Sequence, residues 1–94
     1  MTPIKQAVTN AMEFAAAVLD TYRTRDLRLE EIESGEVQGA PVWLITLSLQ
    51  RPKLAVGGIE LPSFGERDYK TFTVKKDTAE VLSMKIRELA GHNA

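Results

Sequence analysis

The 94-residue chain contains no cysteine and only one histidine. Disulfide bonds and thiolate metal sites are therefore excluded. His92 has no neighbour in sequence that would complete a charge relay, and zinc bound by carboxylates alone is unusual. A serine nucleophile needs a base and an orienting acid, and no second histidine is available. We therefore expect no metal, no cofactor and no enzymatic activity.

The chain also lacks a strong charge of either sign and a long apolar run. Its formal net charge is −1, which provides no field toward nucleic acid or an anionic membrane. No segment reaches the roughly 18 apolar residues of a membrane span. Polar residues interrupt the segment Met1 to Asp20, unlike the apolar core of a secretion signal. We predict a cytoplasmic protein that binds neither membranes nor nucleic acid.

A single domain spanning residues 1–94 fits this length. Thr2-Pro3 is typical of a helix start, with Thr2 as the cap and Pro3 in the first turn. Apolar residues then recur with alternating spacings of four and three as far as Tyr22, which predicts an amphipathic helix. We expect this helix to end between Arg23 and Arg25.

Strict alternation of apolar and polar residues predicts strands at Val42–Gln50 and at Tyr69–Lys75. A further strand begins at Leu27, and its alternation breaks at Glu30–Ile32, which indicates a bulge or a strand end. Gly35 and Gly39-Ala40-Pro41 bracket a turn. The acidic residues of this region fit a solvated strand end better than a cation site: Glu30, Glu31, Glu33 and Glu36.

The segment from Tyr69 to Ile86 is similar to the closing hairpin of PepSY-type domains, in which a strand, an Asp-x-x-Thr-Gly-Glu-Val turn and a second strand follow one another. Here the corresponding residues are Asp77, Thr78, Ala79, Glu80 and Val81, with alanine where the family usually has glycine. The resemblance implies a turn at Lys76–Glu80 and a strand at Val81–Arg87. It also implies a role in binding or restraining a partner protein.

We therefore predict an α+β fold in which one N-terminal helix packs on a four-stranded antiparallel meander. The alternative is a three-stranded sheet with a C-terminal helix from Thr78 to Ala90, because the last segment also has helical spacing. The predicted core comprises Ile4, Val8, Ala11, Ala15, Val18, Tyr22, Leu27, Leu29, Trp43, Ile45, Leu47, Leu49, Phe72, Val74, Leu82, Met84 and Ile86.

The connection 52–67 is long and apolar, and such loops in compact domains are usually functional or disordered. Three alternatives are open: a hairpin around Gly57-Gly58 that folds over the sheet as a packed flap, a disordered loop, or an exposed partner-binding arm. An exposed apolar arm would indicate a homodimer or a protein partner. Val42, Leu44, Tyr69 and Val81 are apolar positions on the sheet face opposite the helix. The predicted partner-binding residues are Leu54, Val56, Ile59, Leu61, Phe64, Val42, Leu44 and Tyr69.

The leading functional hypothesis is thus a non-catalytic protein-interaction module. The alternative is a small-ligand-binding or enzymatic domain with a pocket between helix and sheet, whose mouth would be formed by Asp20, Tyr22, Arg23 and Trp43. A third hypothesis, nucleic-acid binding, would use the basic residues Lys70, Lys75, Lys76, Lys85 and Arg87. Only Tyr69 is available there for base stacking, so this hypothesis is the weakest.

Overall fold

The computed structural model of the chain describes residues 3–52, 54–61 and 66–87. The elements are α1 (Ile4–Val18), α2 (Thr21–Thr24), β1 (Arg28–Val37), β2 (Ala40–Gln50), β3 (Leu54–Val56), β4 (Ile59–Leu61), β5 (Arg67–Lys75) and β6 (Val81–Arg87). An antiparallel sheet has the strand order β1-β2-β5-β6, and β3 and β4 form a separate two-stranded sheet. Helix α1 packs on one face of the larger sheet. This confirms the predicted α+β fold, and β6 replaces the alternative C-terminal helix.

The N-terminal helix ends earlier than predicted, at Val18. Leu19 is extended, with φ −111° and ψ 161°. Asp20 then caps α2, because its carboxylate accepts a hydrogen bond of 2.9 Å from the backbone N–H of Arg23. Aspartate is among the best residues for capping a helix start, so it begins a new helix here instead of continuing the old one. Pro3 precedes the first helical residue, and the predicted cap Thr2 lies outside the described residues.

Small side chains form the buried stripe of α1. Ala7, Ala11 and Ala15 are 0–1% exposed. Their methyl groups let the helix backbone approach the sheet closely, and this rotates the larger residues toward the sides of the helix. Ile4 and Val18, which were predicted in the core, are therefore 39% and 53% exposed. Ala7 was absent from the predicted core, because it lies outside the alternating spacing.

The sheet contributes the large buried side chains, as predicted. Residues Ile45, Leu47, Leu49, Phe72 and Val74 are at most 1% exposed, while Val8, Leu27, Trp43 and Met84 are partly buried against the core. The ring of Phe14 on α1 meets Phe72 edge-on, with 6.3 Å between the ring centroids. Tyr22, another predicted core residue, is half-buried on α2, where the Arg25 guanidinium lies 5.6 Å from its ring centre.

The first of two bulges lies in β1, between Leu29 and Glu31. This is where the broken alternation predicted a bulge or a strand end. The extra residue is Glu30, and β1 continues beyond it to Val37. The two-residue turn at Gln38 and Gly39 then leads into β2, with both residues at positive φ.

The second bulge, at the start of β6, corrects the predicted core. Val81 pairs with Val74 and Ser83 with Thr73, so Leu82 is the extra residue. The bulge interrupts the expected alternation at this point. Val81, which was assigned to the opposite face, packs against the core, and Leu82 is 43% exposed instead of buried.

Two further predicted core residues lie on the edge strands. Leu29 pairs with Leu47, Leu47 with Lys70, and Lys70 with Ile86, so these four residues form one row across the sheet. Leu29 and Ile86 at the two ends of this row are 44% and 77% exposed. Their assignment to the core was wrong, because an edge strand has a neighbour on only one side.

The turn between β5 and β6 has the course that the PepSY resemblance implied. Ala79 has a φ of 63°, a conformation that favours glycine, and its N–H donates to the Lys75 carbonyl at 2.9 Å. Its methyl group is buried in the core beneath α1. The Asn10 side chain donates to its carbonyl at 2.9 Å, which ties the turn to the helix.

Candidate interaction surfaces

The hairpin of β3 and β4 is the first candidate surface. Its turn is Gly57-Gly58, with φ values of 58° and 84°, as a tight two-residue hairpin turn requires. Backbone register pairs Leu54 with Leu61 and Val56 with Ile59. Directly opposite residues share one face of an antiparallel ribbon, so apolar residues are paired with apolar residues. The turn and the two paired strands lie where the hairpin around the two glycines was predicted, and they form a sheet of their own.

The hairpin carries an exposed apolar side chain beside its turn and pairs apart from the larger sheet. Ile59, next to the turn, is 64% exposed. The hairpin pairs only within itself, in a sheet separate from the four-stranded one. Leu54, Val56 and Leu61 lie in its two strands, whereas Phe64, also predicted to bind a partner, lies outside the described residues.

Ion pairs surround the root of the hairpin, where β2 ends and β5 begins. Arg51 pairs with Glu66 and also with Asp68, whose carboxylate lies 3.2 Å from the Arg51 Nε. Arg23 on α2 donates to Asp68 at 2.6 Å and to the carbonyl of Gln50 at 3.2 Å. Helix α2 and the ends of both strands are thus joined at the point from which the hairpin departs.

The sheet face opposite α1, called the open face below, is the second candidate surface. Arg67 donates to the hydroxyl of Ser48 at 2.8 Å and to its carbonyl at 2.9 Å. It also reaches the backbone carbonyl and the carboxylate of Asp26. The Ser48 hydroxyl donates in turn to the Glu30 carboxylate at 2.7 Å. Ser48 is fully buried beneath these side chains and is fully hydrogen-bonded.

A second group of polar residues crosses the open face from edge to edge. Arg87 on β6 donates to Glu31 on β1 and, at 3.0 Å, to the hydroxyl of Thr46 on β2. Thr46 and Thr71 share a hydrogen bond of 3.1 Å between their hydroxyls. Between these groups lies a shallow depression of about 220 Å³, lined by Glu30, Glu31, Thr46, Tyr69 and Arg87.

Ion pairs at the open face shift the pKa values of Asp26 and Arg87. A hydrogen bond from Arg28, 2.7 Å long, lowers the pKa of Asp26, and the positive charges of Arg28 and Arg67 lower it further. The hydrogen bond to Glu31 raises the pKa of Arg87. The ionised forms of Asp26 and Arg87 are therefore favoured.

The structure corrects the predicted apolar patch on the open face. Val42 is fully buried and does not offer a partner surface. It pairs with Gly35, which has no side chain, and Leu44 fills the space with its Cδ1 3.2 Å from where a Gly35 Cβ would be. Leu44 is half-buried. Tyr69, also half-buried, pairs with Ser48, roughly 13 Å along the sheet from Leu44.

The residues proposed for a pocket mouth do not converge. Trp43 lies beneath the Lys76 ammonium, 4.0 Å from the ring centre. Asp20 and Arg23 lie at the other end of β2, where Arg23 contacts Gln50. Seven residues of extended strand separate Trp43 from Gln50, a distance of roughly 23 Å.

The basic residues are also divided between the two faces. Lys70 pairs with Leu47 on the helix side, while Lys75 pairs with Val42 on the open face. Lys76 contacts Ser34 and Trp43. The positive charges thus do not form one continuous stripe along the sheet.

Arg67 is the central residue that the sequence analysis missed. The predicted strand began at Tyr69, whereas β5 begins at Arg67 and pairs with β2 as far as Gln50. Arg67 lies two residues before Tyr69, so extending the same alternation would have placed it on the open face beside Ser48.

No protein-family model, curated protein sequence or solved structure matches this chain. The resemblance to PepSY-type domains therefore stays a prediction. In residues 3–52, 54–61 and 66–87, no group of three or more acidic, histidine or cysteine side chains is placed to hold a metal ion. Over the same ranges neither helix has the length and hydropathy needed to cross a membrane.

Proposed function

We propose that this chain is a non-catalytic protein-interaction module that binds a partner protein through the hairpin of β3 and β4. The observation that carries this proposal is Ile59, which is 64% exposed beside a tight glycine turn. Its hairpin pairs apolar residues with each other in a sheet of its own. The function implied by the PepSY resemblance, binding or restraining a protein, is of the same class.

The energetics of a two-stranded hairpin support a bound partner. An isolated hairpin of this kind is marginally stable in water. Burying a large apolar side chain such as Ile59 contributes roughly 1.5–3 kcal/mol. A partner that covers the apolar residues of the ribbon would therefore stabilise both the hairpin and the complex. The ion pairs of Arg51 and Arg23 with Asp68 hold the root from which the hairpin extends.

The alternative, a ligand pocket between helix and sheet, has less support. That space is filled by side chains from both layers, with Ala11, Ile45 and Phe72 all fully buried. The depression on the open face lies on the other side of the sheet. A cytoplasmic location stays a prediction, based on the interrupted apolar pattern of the first 20 residues.

Site-specific photo-crosslinking tests the proposal. A benzophenone amino acid at position 59 is compared with the same group at Val37, which is 40% exposed and adjoins the two-residue turn of the β1–β2 hairpin. In cells that make the protein natively, we expect position 59 alone to form a cross-link to one other protein. Excess unlabelled protein should suppress the cross-link, and the Ile59→Ser variant should suppress it less.

Two results would count against the hairpin as the binding surface. One is equal cross-linking from positions 37 and 59, which indicates random collision. The other is full competition by the Ile59→Ser variant, which indicates that its side chain contributes nothing to binding.

A further inference from the structure

The outer edge of β6 is a second exposed surface, distinct from the hairpin. Strand β6 is the last strand in the order β1-β2-β5-β6 and pairs with β5 on its inner side. Within the described ranges no strand pairs with its outer side. Such an edge presents free backbone N–H and C=O groups and can accept another strand. Leu82 and Ile86 on this strand are 43% and 77% exposed.

The opposite edge of the sheet differs in a way that matters for pairing. Strand β1 has a bulge at Glu30 and three further exposed glutamates, and edge charges and bulges both oppose strand addition. Strand β6 carries no carboxylate, its one exposed charge is Lys85, and its bulge lies at its very beginning. Its terminal Arg87 extends across the open face to Glu31, so this charge is directed away from the edge. β6 is therefore the edge suited to pairing.

We propose that two copies of this chain associate through antiparallel pairing of their β6 strands, about a two-fold axis at Met84. The joined sheet then has eight strands. This inference goes beyond the proposed function and uses a different surface from the hairpin. The partner is a second copy because β6 is complementary to itself in one particular register.

That register places apolar residues opposite each other. With the axis at Met84, Leu82 faces the partner's Ile86, and Lys85 faces the partner's Ser83. Directly opposite residues of an antiparallel pair have their side chains on the same face of the sheet. The two-fold axis must therefore pass through a residue, and the alternative registers place it at a different residue. Moving it to Lys85 sets two lysines opposite each other, which is destabilising. Moving it to Ser83 leaves Ile86 opposite the partner's Glu80.

The dimer also determines where the two hairpins lie. Each hairpin leaves the sheet at the end of β2 and the start of β5. A two-fold axis perpendicular to the sheet reverses the strand direction in the second copy. The two hairpins are then at opposite ends of the eight-stranded sheet, and the dimer presents two partner-binding surfaces.

Light scattering on a size-exclusion column tests the association, with Ile86→Lys as the variant. Leu29→Lys is the matched control, because Leu29 lies in the same cross-sheet row on the other edge and is also exposed, at 44% against 77% for Ile86. We expect wild type and Leu29→Lys to have twice the monomer mass of 10.4 kDa. Ile86→Lys should raise the dimer dissociation constant about tenfold or more, since it buries a charge opposite the partner's Leu82.

Single cysteine variants test the register, because the natural chain has no cysteine. Directly opposite residues lie about 4.5–5.5 Å apart between Cα atoms, within the limit of about 7 Å for a disulfide. Under mild oxidation Met84→Cys should cross-link to its own copy fastest, ahead of Ser83→Cys and Lys85→Cys. Faster cross-linking at position 83 or 85 would overturn the proposed axis.

The light-scattering and cross-linking results distinguish failure of the β6 dimer from failure of partner binding through the hairpin. A wild-type protein that stays monomeric over the concentration range, or a dimer insensitive to Ile86→Lys, overturns pairing through β6. A dimer lost in Ile59→Ser but kept in Ile86→Lys shows association through the hairpin and likewise overturns it. A monomer that still gives the specific cross-link at position 59 leaves the proposed function intact.

Discussion

Both faces of the four-stranded sheet contain fully buried side chains, but different groups cover them. On the helix side, Ile45 and Phe72 are buried beneath the alanine stripe of α1. On the open face no helix of the described part of the chain covers the sheet, yet Ser48 and Thr46 are only 0% and 3% exposed. Long charged side chains lying along the surface cover them, chiefly Arg67 with its contacts to Ser48. Burial on the helix side comes from apolar packing, whereas at Ser48 and Thr46 on the open face it comes from hydrogen-bonded polar and charged side chains.

This difference shows what each face requires of its residues. An apolar core needs close-fitting volumes, because interiors are as dense as organic crystals. A polar cover needs partners for every donor and acceptor that it shields from water. The helix side should therefore be sensitive to size, and the open face should be sensitive to the loss of single hydrogen bonds.

The largest effect is expected from enlarging the alanine stripe. Ala11→Leu places three more carbon atoms where α1 meets the sheet, at a position 0% exposed. Overfilling a core typically costs about 1–3 kcal/mol. Urea denaturation should show a corresponding fall in the free energy of unfolding. The helix itself should tolerate leucine, which is a good helix former.

Ala16→Leu is the matched control, because Ala16 is exposed on the same helix. Its effect should stay within about 0.5 kcal/mol, as for most surface substitutions. Equal destabilisation by both variants would mean that helix propensity, not the space beneath α1, sets the response. The contrast drawn between the two faces would then lose its basis.

A smaller effect is expected on the open face from Ser48→Ala. The change removes the hydroxyl that accepts from Arg67 and donates to Glu30. A single hydrogen bond contributes about 0.5–1.5 kcal/mol net, and both partners can return to water, so we expect a loss of about 1 kcal/mol. Thermal and urea unfolding provide the measurement. In the background of Arg67→Met the loss should be smaller, because the pair acts together.

Additive effects in that double variant would contradict a connected network. So would a stabilised Ser48→Ala protein, because it would mean that the open face behaves as an apolar core. Either result would make the two faces alike.

Strict alternation was sufficient to predict most of the sheet from sequence. In β2 it separated the two faces correctly, with Ile45 toward the helix and Thr46 away from it. The broken alternation at Glu30 marked a real bulge. Such local patterns survive folding because a strand exposes successive residues to opposite sides.

The errors arose where burial depends on neighbours in space. At the β6 bulge Val81 packs against the core and Leu82 is exposed, the reverse of the prediction, although the local alternation there is regular. Val42 is buried because its neighbour across the strands is Gly35, a pairing that only the register reveals. On α1 the prediction placed Ala11 and Ala15 in the core correctly, but it missed Ala7 and included the exposed Ile4 and Val18, because the sequence does not show how closely a helix approaches its sheet.

The hairpin could be predicted only in part, because its turn is a local feature and its placement in the fold is not. Gly57-Gly58 indicated a tight turn, and its strands followed from the flanking apolar residues. Whether these strands fold over the main sheet or pair separately depends on tertiary contacts, and the structure shows a separate two-stranded sheet. One ion pair at its root, Arg23 with Asp68, joins residues 45 positions apart, which no local pattern predicts.

The smallest expected effect is a pH dependence at the margin of the open face. The pKa of Asp26 is lowered in the folded protein, mainly by the hydrogen bond from Arg28 and further by the positive charges of Arg28 and Arg67. A lowered folded-state pKa means that the ionised carboxylate stabilises the fold above the unfolded-state pKa. That contribution is lost as the pH falls through the folded-state pKa. Stability should therefore decline slightly below about pH 4.

Asp26→Asn tests this by removing the titration while keeping the shape of the side chain. At pH 7 the variant should be less stable than wild type in urea, and the difference should shrink as the pH falls from 4 toward 2. Glu36→Gln, which removes a carboxylate near the turn end of β1, controls for the change in net charge. A difference that is constant over this range would show that Asp26 acts through packing and not through its charge. The open face would then depend on shape, as the helix side does, and the contrast between the two faces would be one of composition only.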